Sequence, residues 1–219
     1  MIKSKINAPR TSALNLGLAF KDSIGIKVKG DVFATLRYED GKEEVVIDKS
    51  NIYTLDGGIL AAILFSNNAG QNNSRFVNML AIGTGASGSA QNPDIPDYQQ
   101  RALNTALYKK TFSSVLYRKA DGSLSVDGNN NPLPTNIVDF TTTFESSEAV
   151  GALTEMGLIS SVNNSFLANS FVPNTNNFPL DREETEAVLD YDVLVNYLTF
   201  PVINKPNGAI LAITWRLTF

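Results

Sequence analysis

Neither cysteine nor histidine occurs among the 219 residues. Without cysteine there are no disulfides, no thiolate nucleophile and no cysteine-bound zinc. Without histidine the side chain best suited to proton transfer near neutral pH is missing, as is the commonest metal ligand. Ser-His-Asp and Cys-His relays therefore cannot be built, which leaves only carboxylate, lysine or tyrosine chemistry. Long apolar runs are lacking too. The longest, residues 59–65, is seven residues, against the roughly 20 that a membrane-crossing helix needs. Met1-Ile2-Lys3-Ser4-Lys5 lacks the apolar centre of a secretion signal. The chain is thus expected to stay where it is made and to have no membrane partner.

Charge is scarce at 18 % of residues, while 43 % are hydrophobic, a balance that reads as globular with much polar, uncharged surface. The length suits one domain with its own core, or one domain with an extended arm. The formal net charge of −4 is uneven. Residues 1–110 hold 13 basic and 10 acidic side chains, a net +3, and residues 111–219 hold 5 and 12, a net −7. The basic extreme is the beginning, where Lys3, Lys5, Arg10, Lys21, Lys27 and Lys29 face Asp22 alone. Such an arm could attract the acidic body of a neighbouring copy, or simply be a solvated tail. Nucleic acid is not an expected partner, because the whole chain is acidic and the arm has few aromatics.

Residues 1–18 show no strong periodicity and contain Pro9, so 1–24 is read as an extended N-terminal arm and 25–219 as a single β-sandwich domain. In residues 31–38, Val32, Ala34, Leu36 and Tyr38 alternate with Phe33, Thr35 and Arg37. Asp40-Gly41 then signals a hairpin whose return strand is 43–48. Residues 56–66 are the helix candidate, with Asp56 as cap and Ile59, Leu60, Ile63 and Leu64 as a buried stripe. Further strands are expected at 78–82, at 105–119 as one long strand, and at 137–144, 152–161, from 189 onward and at 209–219. Asn-rich loops are expected at 67–74, 120–136 and 162–179. Many short strands with one helix predict a mainly β fold, an antiparallel β-sandwich.

Three constellations invite chemistry. Gly83-Thr84-Gly85-Ala86-Ser87-Gly88 matches the G-x-G-x-x-G nucleotide pattern after a strand, but the following Ser89-Ala90-Gln91-Asn92-Pro93 is a poor helix, so a structural turn is expected. Asp181, Glu183, Glu184, Glu186, Asp190 and Asp192 form an acidic cluster that matches no calcium-loop spacing; it is read as a solvated edge, with Asp190 and Asp192 as the better pair should a cation bind. Glu145, Glu148 and Glu155 are the carboxylates that glycoside cleavage would need, but carboxylates beside turns usually serve solubility. Trp215, Tyr197, Tyr191 and Tyr108 could line a sugar platform, though aromatics alternating within strands are more often core. No catalytic, cofactor-binding or metal residues are assigned, and no cofactor is expected.

Leu80-Ala81-Ile82-Gly83-Thr84-Gly85 resembles the "(A/I)GTG" turn of a group of small bacteriophage structural proteins, tail- or fibre-associated. That group continues with an "EA-G-ITE-GLF" stretch, to which residues 148–159 are similar. It then closes with a strand, a proline turn and a Thr-rich final strand, to which residues 198–205 and 210–219 are similar. The resemblance spans residues 51–219. The insertions at 120–136 and 162–179 depart from the compact pattern and leave the position in the particle open. The resemblance implies a non-catalytic, homo-oligomeric virion subunit of the neck, tail or fibre attachment region, assembled in the host cytoplasm. Its partners would be other copies of itself and other virion proteins, and its arm would reach a neighbour. A capsid decoration protein and, from another class, a carbohydrate-binding module are the alternatives.

Overall fold

A computed structural model describes residues 28–66, 76–161 and 192–219. The arm expected at 1–24, the loops at 67–74 and 162–179, and the acidic cluster apart from Asp192 lie outside the described residues. Among the described residues, twelve strands and one helix follow in chain order: β1 (Lys29–Arg37), β2 (Glu43–Ser50), β3 (Ile52–Tyr53), α1 (Leu55–Ser66), β4 (Met79–Gly83), β5 (Gly88–Ser89), β6 (Asn92–Pro93), β7 (Ala106–Thr111), β8 (Ser114–Tyr117), β9 (Ile137–Phe144), β10 (Gly151–Ser160), β11 (Val193–Lys205) and β12 (Ile210–Thr218). Two five-stranded antiparallel sheets result. Sheet A runs β2-β1-β12-β9-β8 and sheet B runs β3-β11-β10-β4-β7. Their facing sides form the main core, with Val32, Leu36, Phe144, Ile213, Trp215 and Leu217 from sheet A against Leu80, Ile82, Leu153, Met156, Leu198 and Phe200 from sheet B. The fold is the mainly β, antiparallel sandwich that the alternation predicts.

Local chemistry explains the hairpin ends. At the β1–β2 turn the Tyr38 N–H donates to the Lys42 carbonyl and Gly41 takes a φ of 82°, a conformation that costs glycine little. The 120–136 excursion folds back in two tight turns. Gly122 (φ 84°) closes on Lys119, and Asn130 (φ 63°) closes on Asp127, both residue types that tolerate the left-handed region.

Three expectations are corrected. The cap of α1 is Thr54 rather than Asp56: the Gly57 N–H donates to Thr54 Oγ1 at 3.0 Å, and Asp56 lies inside the first turn. Of the expected stripe, Leu60 packs on Val193 and Val195; the side chains of Ile59, Ile63 and Leu64 lie outside the described residues. The long strand expected at 105–119 is two strands in different sheets, β7 and β8, joined by a corner at Phe112-Ser113. There the side-chain phase flips, so Leu116 pairs beside Asp139 on the outer face while Val115 and Tyr117 sit beside Phe140 and Val138 on the inner one. Pro201 continues β11 instead of forming a turn, and the turn comes at Pro206, whose carbonyl accepts from Ala209 N–H.

Sheet B is covered on both faces. Its outer side carries Met79, Ala81, Ile159, Leu194 and Tyr197, closed over by Leu103 of the long connection before β7, with α1 on Val193 and Val195 beside it. The strand expected from 189 onward is therefore, within the described part, buried on both sides from Val193 to Phe200. Among the described residues no helix is long and apolar enough to cross a membrane.

Candidate functional site

The glycine-rich turn and Glu155 meet at one point. The β10–β4 register sets Glu155 opposite Gly83, where its carboxylate is 0 % exposed. A buried carboxylate is tolerated only when its lone pairs are filled, and four donors fill these. Gly85 N–H (3.0 Å) and Thr105 N–H (2.8 Å) donate to Oε1, while Asn104 N–H (2.9 Å) and Tyr197 Oη (2.6 Å) donate to Oε2. The Ala86 N–H goes to Thr154 Oγ1 at 3.2 Å. Burial, with Glu155 beside it, pushes the Tyr197 phenol far above its ordinary value, so Tyr197 stays a donor.

The two glycines are close-approach residues. A Cβ on Gly83 would stand 2.3 Å from the Thr105 carbonyl oxygen and 2.8 Å from Glu155 Oε1; one on Gly85 would stand 2.5 Å from Thr105 N. The backbone N–H groups of Gly85 and Ala86, which a nucleotide phosphate would use, already belong to Glu155 and Thr154. A small hairpin, β5–β6, follows in place of a helix. The turn is structural.

The other candidate carboxylates also hold the fold. Glu148 accepts from Lys110 Nζ (2.5 Å), from Tyr108 Oη (3.3 Å) and from the Glu145 N–H (2.8 Å), closing the turn before β10. Burial raises its pKa, but Lys110 and the Glu145 N–H outweigh it and hold the carboxyl below the ordinary range. The exposed Glu145 gives its carbonyl to the buried Lys205 Nζ at 2.9 Å. Asp192 ion-pairs at 3.1 Å with Lys109, both buried, and Lys109 also donates to Ser161 Oγ at 2.8 Å. One lysine thus grips the chain on both sides of the segment 162–191, and Asn78 adds a pair of hydrogen bonds to the Ser161 backbone. Among the described residues no three His, Cys, Asp or Glu side chains converge as a metal site would need.

Of the aromatics considered for a sugar platform, Trp215 and Tyr197 are core, Tyr108 stacks edge-on against Phe144 at 5.8 Å, and Tyr191 lies outside the described residues. Sequence reasoning missed two polar centres. Lys109 is one, a lysine inside the most enclosed part of β7. Asp139 is the other: it is buried on the outer side of sheet A, where Arg216 donates to both its oxygens (2.7 and 2.9 Å) and Arg118 to Oδ2 (2.8 Å). Burial raises the Asp139 pKa, yet the two guanidinium groups outweigh it and keep the carboxyl low. A lone Asp in the apolar 137–144 run and a lone Arg in 210–218 were the visible signal.

Four buried side-chain atoms, Asn51 Nδ2, Thr142 Oγ1, Asn196 Oδ1 and Trp215 Nε1, have no hydrogen-bond partner among the described residues, and the rims carry unpaired strand edges. β2 ends sheet A with its outer edge unpaired among the described strands, and its Val45 is 70 % exposed. At the opposite side β7 and β8 end both sheets, and the inner face of β8 opens on an apolar groove. Compared with protein-family models and with curated proteins, the chain matches none.

Proposed function

We propose that the protein is a non-catalytic structural subunit of a bacteriophage particle, in the neck, tail or fibre attachment region, that works as a homo-oligomer. One observation carries the reading. Glu148, Glu155, Asp139 and Asp192, the acidic groups that chemistry would need, act as internal ties, while among the described residues the outer sheet edges and the apolar surfaces beside them are left open. Open edges are a hazard in a monomer and a means of joining in a symmetric assembly, where a neighbouring strand completes the ladder. β2 is the edge best suited to this, being eight residues long with Val45 exposed on it. The resemblance of residues 80–85, 148–159, 198–205 and 210–219 to phage structural proteins supplies the particle; the edges supply the way of joining.

The test is native mass spectrometry and electron microscopy of the purified chain, with antibody labelling on intact particles. Closed oligomers and labelling at the neck or tail are expected. A strictly monomeric chain that is absent from purified particles would overturn the reading.

A further inference from the structure

The groove at the open side of the sandwich is built from core-type residues that lack a cover among the described residues. Val115, Tyr117, Val138 and Phe140 line it from the inner face of sheet A, and Phe76 and Phe219 line it as well. Phe76 is 61 % exposed, Phe219 48 % and Val115 41 %. The cause lies in the layering: β7, the last strand of sheet B, packs toward β9, so β8 overhangs with nothing opposite it among the described strands. Joined apolar surface of this kind marks a binding face.

Its occupant is identified by pattern and by reach. Within the leader, Leu14, Leu16, Leu18 and Phe20 alternate with Asn15, Gly17 and Ala19, so a strand here would present four large apolar side chains on one face. This alternation begins inside the stretch that as a whole shows no strong period. Neither of the other two segments outside the described residues has it: 67–75 is almost wholly polar, and in 162–191 the apolar residues are irregularly spaced. The leader also arrives at the right place. Lys29 pairs with Thr218 at the end of β12, the next residue, Phe219, lines the groove, and its backbone is held by Asn136. From β1 to β8 is three strand spacings, about 14 Å, and nine residues from Phe20 to Lys29 span up to about 30 Å. A tether that short gives the chain's own leader a high effective concentration over its own groove.

We propose that residues 14–20 of the leader lie as a strand in the groove of the same chain, apolar side inward, completing the open side of the sandwich. The proposal is independent of the phage reading.

Because the chain has no cysteine, introduced pairs carry the only thiols. Val115→Cys is combined in turn with Leu16→Cys, Leu18→Cys, Asn15→Cys, Gly17→Cys and Ala19→Cys, and each is oxidised with oxidised glutathione at low protein concentration. Disulfides within one chain are expected, forming several-fold faster for the Leu16 or Leu18 partner than for the odd-numbered ones. Closure without that preference, disulfides between chains, or no closure would each overturn the proposal. As a check that leaves the groove unaltered, Leu16→Asp with Leu18→Asp is expected to raise binding of an apolar fluorescent dye and lower the urea midpoint. Dye binding and midpoint equal to those of the unaltered chain would overturn it as well.

Discussion

The two sheets treat a buried carboxylate in opposite ways. In sheet B, sealed on both faces, Glu155 is met by three backbone N–H groups and a phenol, all fixed in place by the fold. In sheet A, whose outer face meets water, Asp139 is met by Arg118 and Arg216, whose side chains remain about a quarter to a third exposed. The difference teaches what each centre costs to lose. Remove Glu155 and three backbone N–H groups and the buried Tyr197 phenol lose their partner at once. Remove the charge of Asp139 and the guanidinium groups can turn to solvent.

The contrast is broken most forcefully by Glu155→Ala, which is expected to cost about 4 kcal/mol, from unpaired buried donors plus the space left behind. The single tryptophan, Trp215, is fully buried, so its fluorescence in a urea titration reads the loss directly; a cost under about 1 kcal/mol would show that water enters the Glu155 pocket after all. Gly85→Ala comes next, at about 2 kcal/mol, because the added methyl meets the Thr105 backbone rather than a movable side chain. Thermal melts of this variant beside Gly58→Ala, where a Cβ meets nothing within 4 Å, isolate the steric part.

Asp139→Asn is expected to cost about 1–2 kcal/mol near pH 7, and to do so with a pH signature. The folded carboxyl titrates below its unfolded value, so its contribution is fully present above about pH 4 and fades as the pH falls through the lower folded value. Melting temperatures of the two proteins should therefore converge in acid. A gap of constant size down to pH 2 would assign the effect to packing. Smallest is Arg37→Ala on the exposed β1–β2 hairpin. Its 2.6 Å pair with Glu43 is open to water on both sides, and the expected change is under about 0.5 kcal/mol by the same titration.

How far the sequence foretold these features depends on which elements each one joins. The β1–β2 hairpin was legible, since both signals it needs, alternation and Asp-Gly, lie within 20 residues. The final strand was legible for the same reason, and its inward set Ile213, Trp215 and Leu217 is buried as the alternation implied. The corner at Phe112 was not, because Tyr108, Phe112 and Leu116 keep an even spacing straight through the change of sheet. The burial of β11 on both sides was hidden, since Leu103, which covers Leu194 and Tyr197, and α1, which packs on Val193 and Val195, are both distant in sequence. Glu155 was picked out for the wrong reason. Its partners stand 42 to 70 residues away, and only strand register brings them to one carboxylate. Asp139 and Arg216 were half legible: each is a lone charge in an apolar strand, but their pairing is fixed by the β9–β12 alignment.

The position of β12 carries a consequence for how the molecule is made. It is the middle strand of sheet A, yet it is the last of the described strands in the chain. Until it arrives, the β1–β2 and β8–β9 hairpins have no hydrogen bond between them, and Val32 and Val138 face an unfilled slot. A ribosome that has released everything up to residue 209 therefore holds two separate half-sheets with raw inner edges. Sheet A closes only when 210–218 clear the exit tunnel, which makes the interval before β12 emerges the time at which this chain most needs a chaperone.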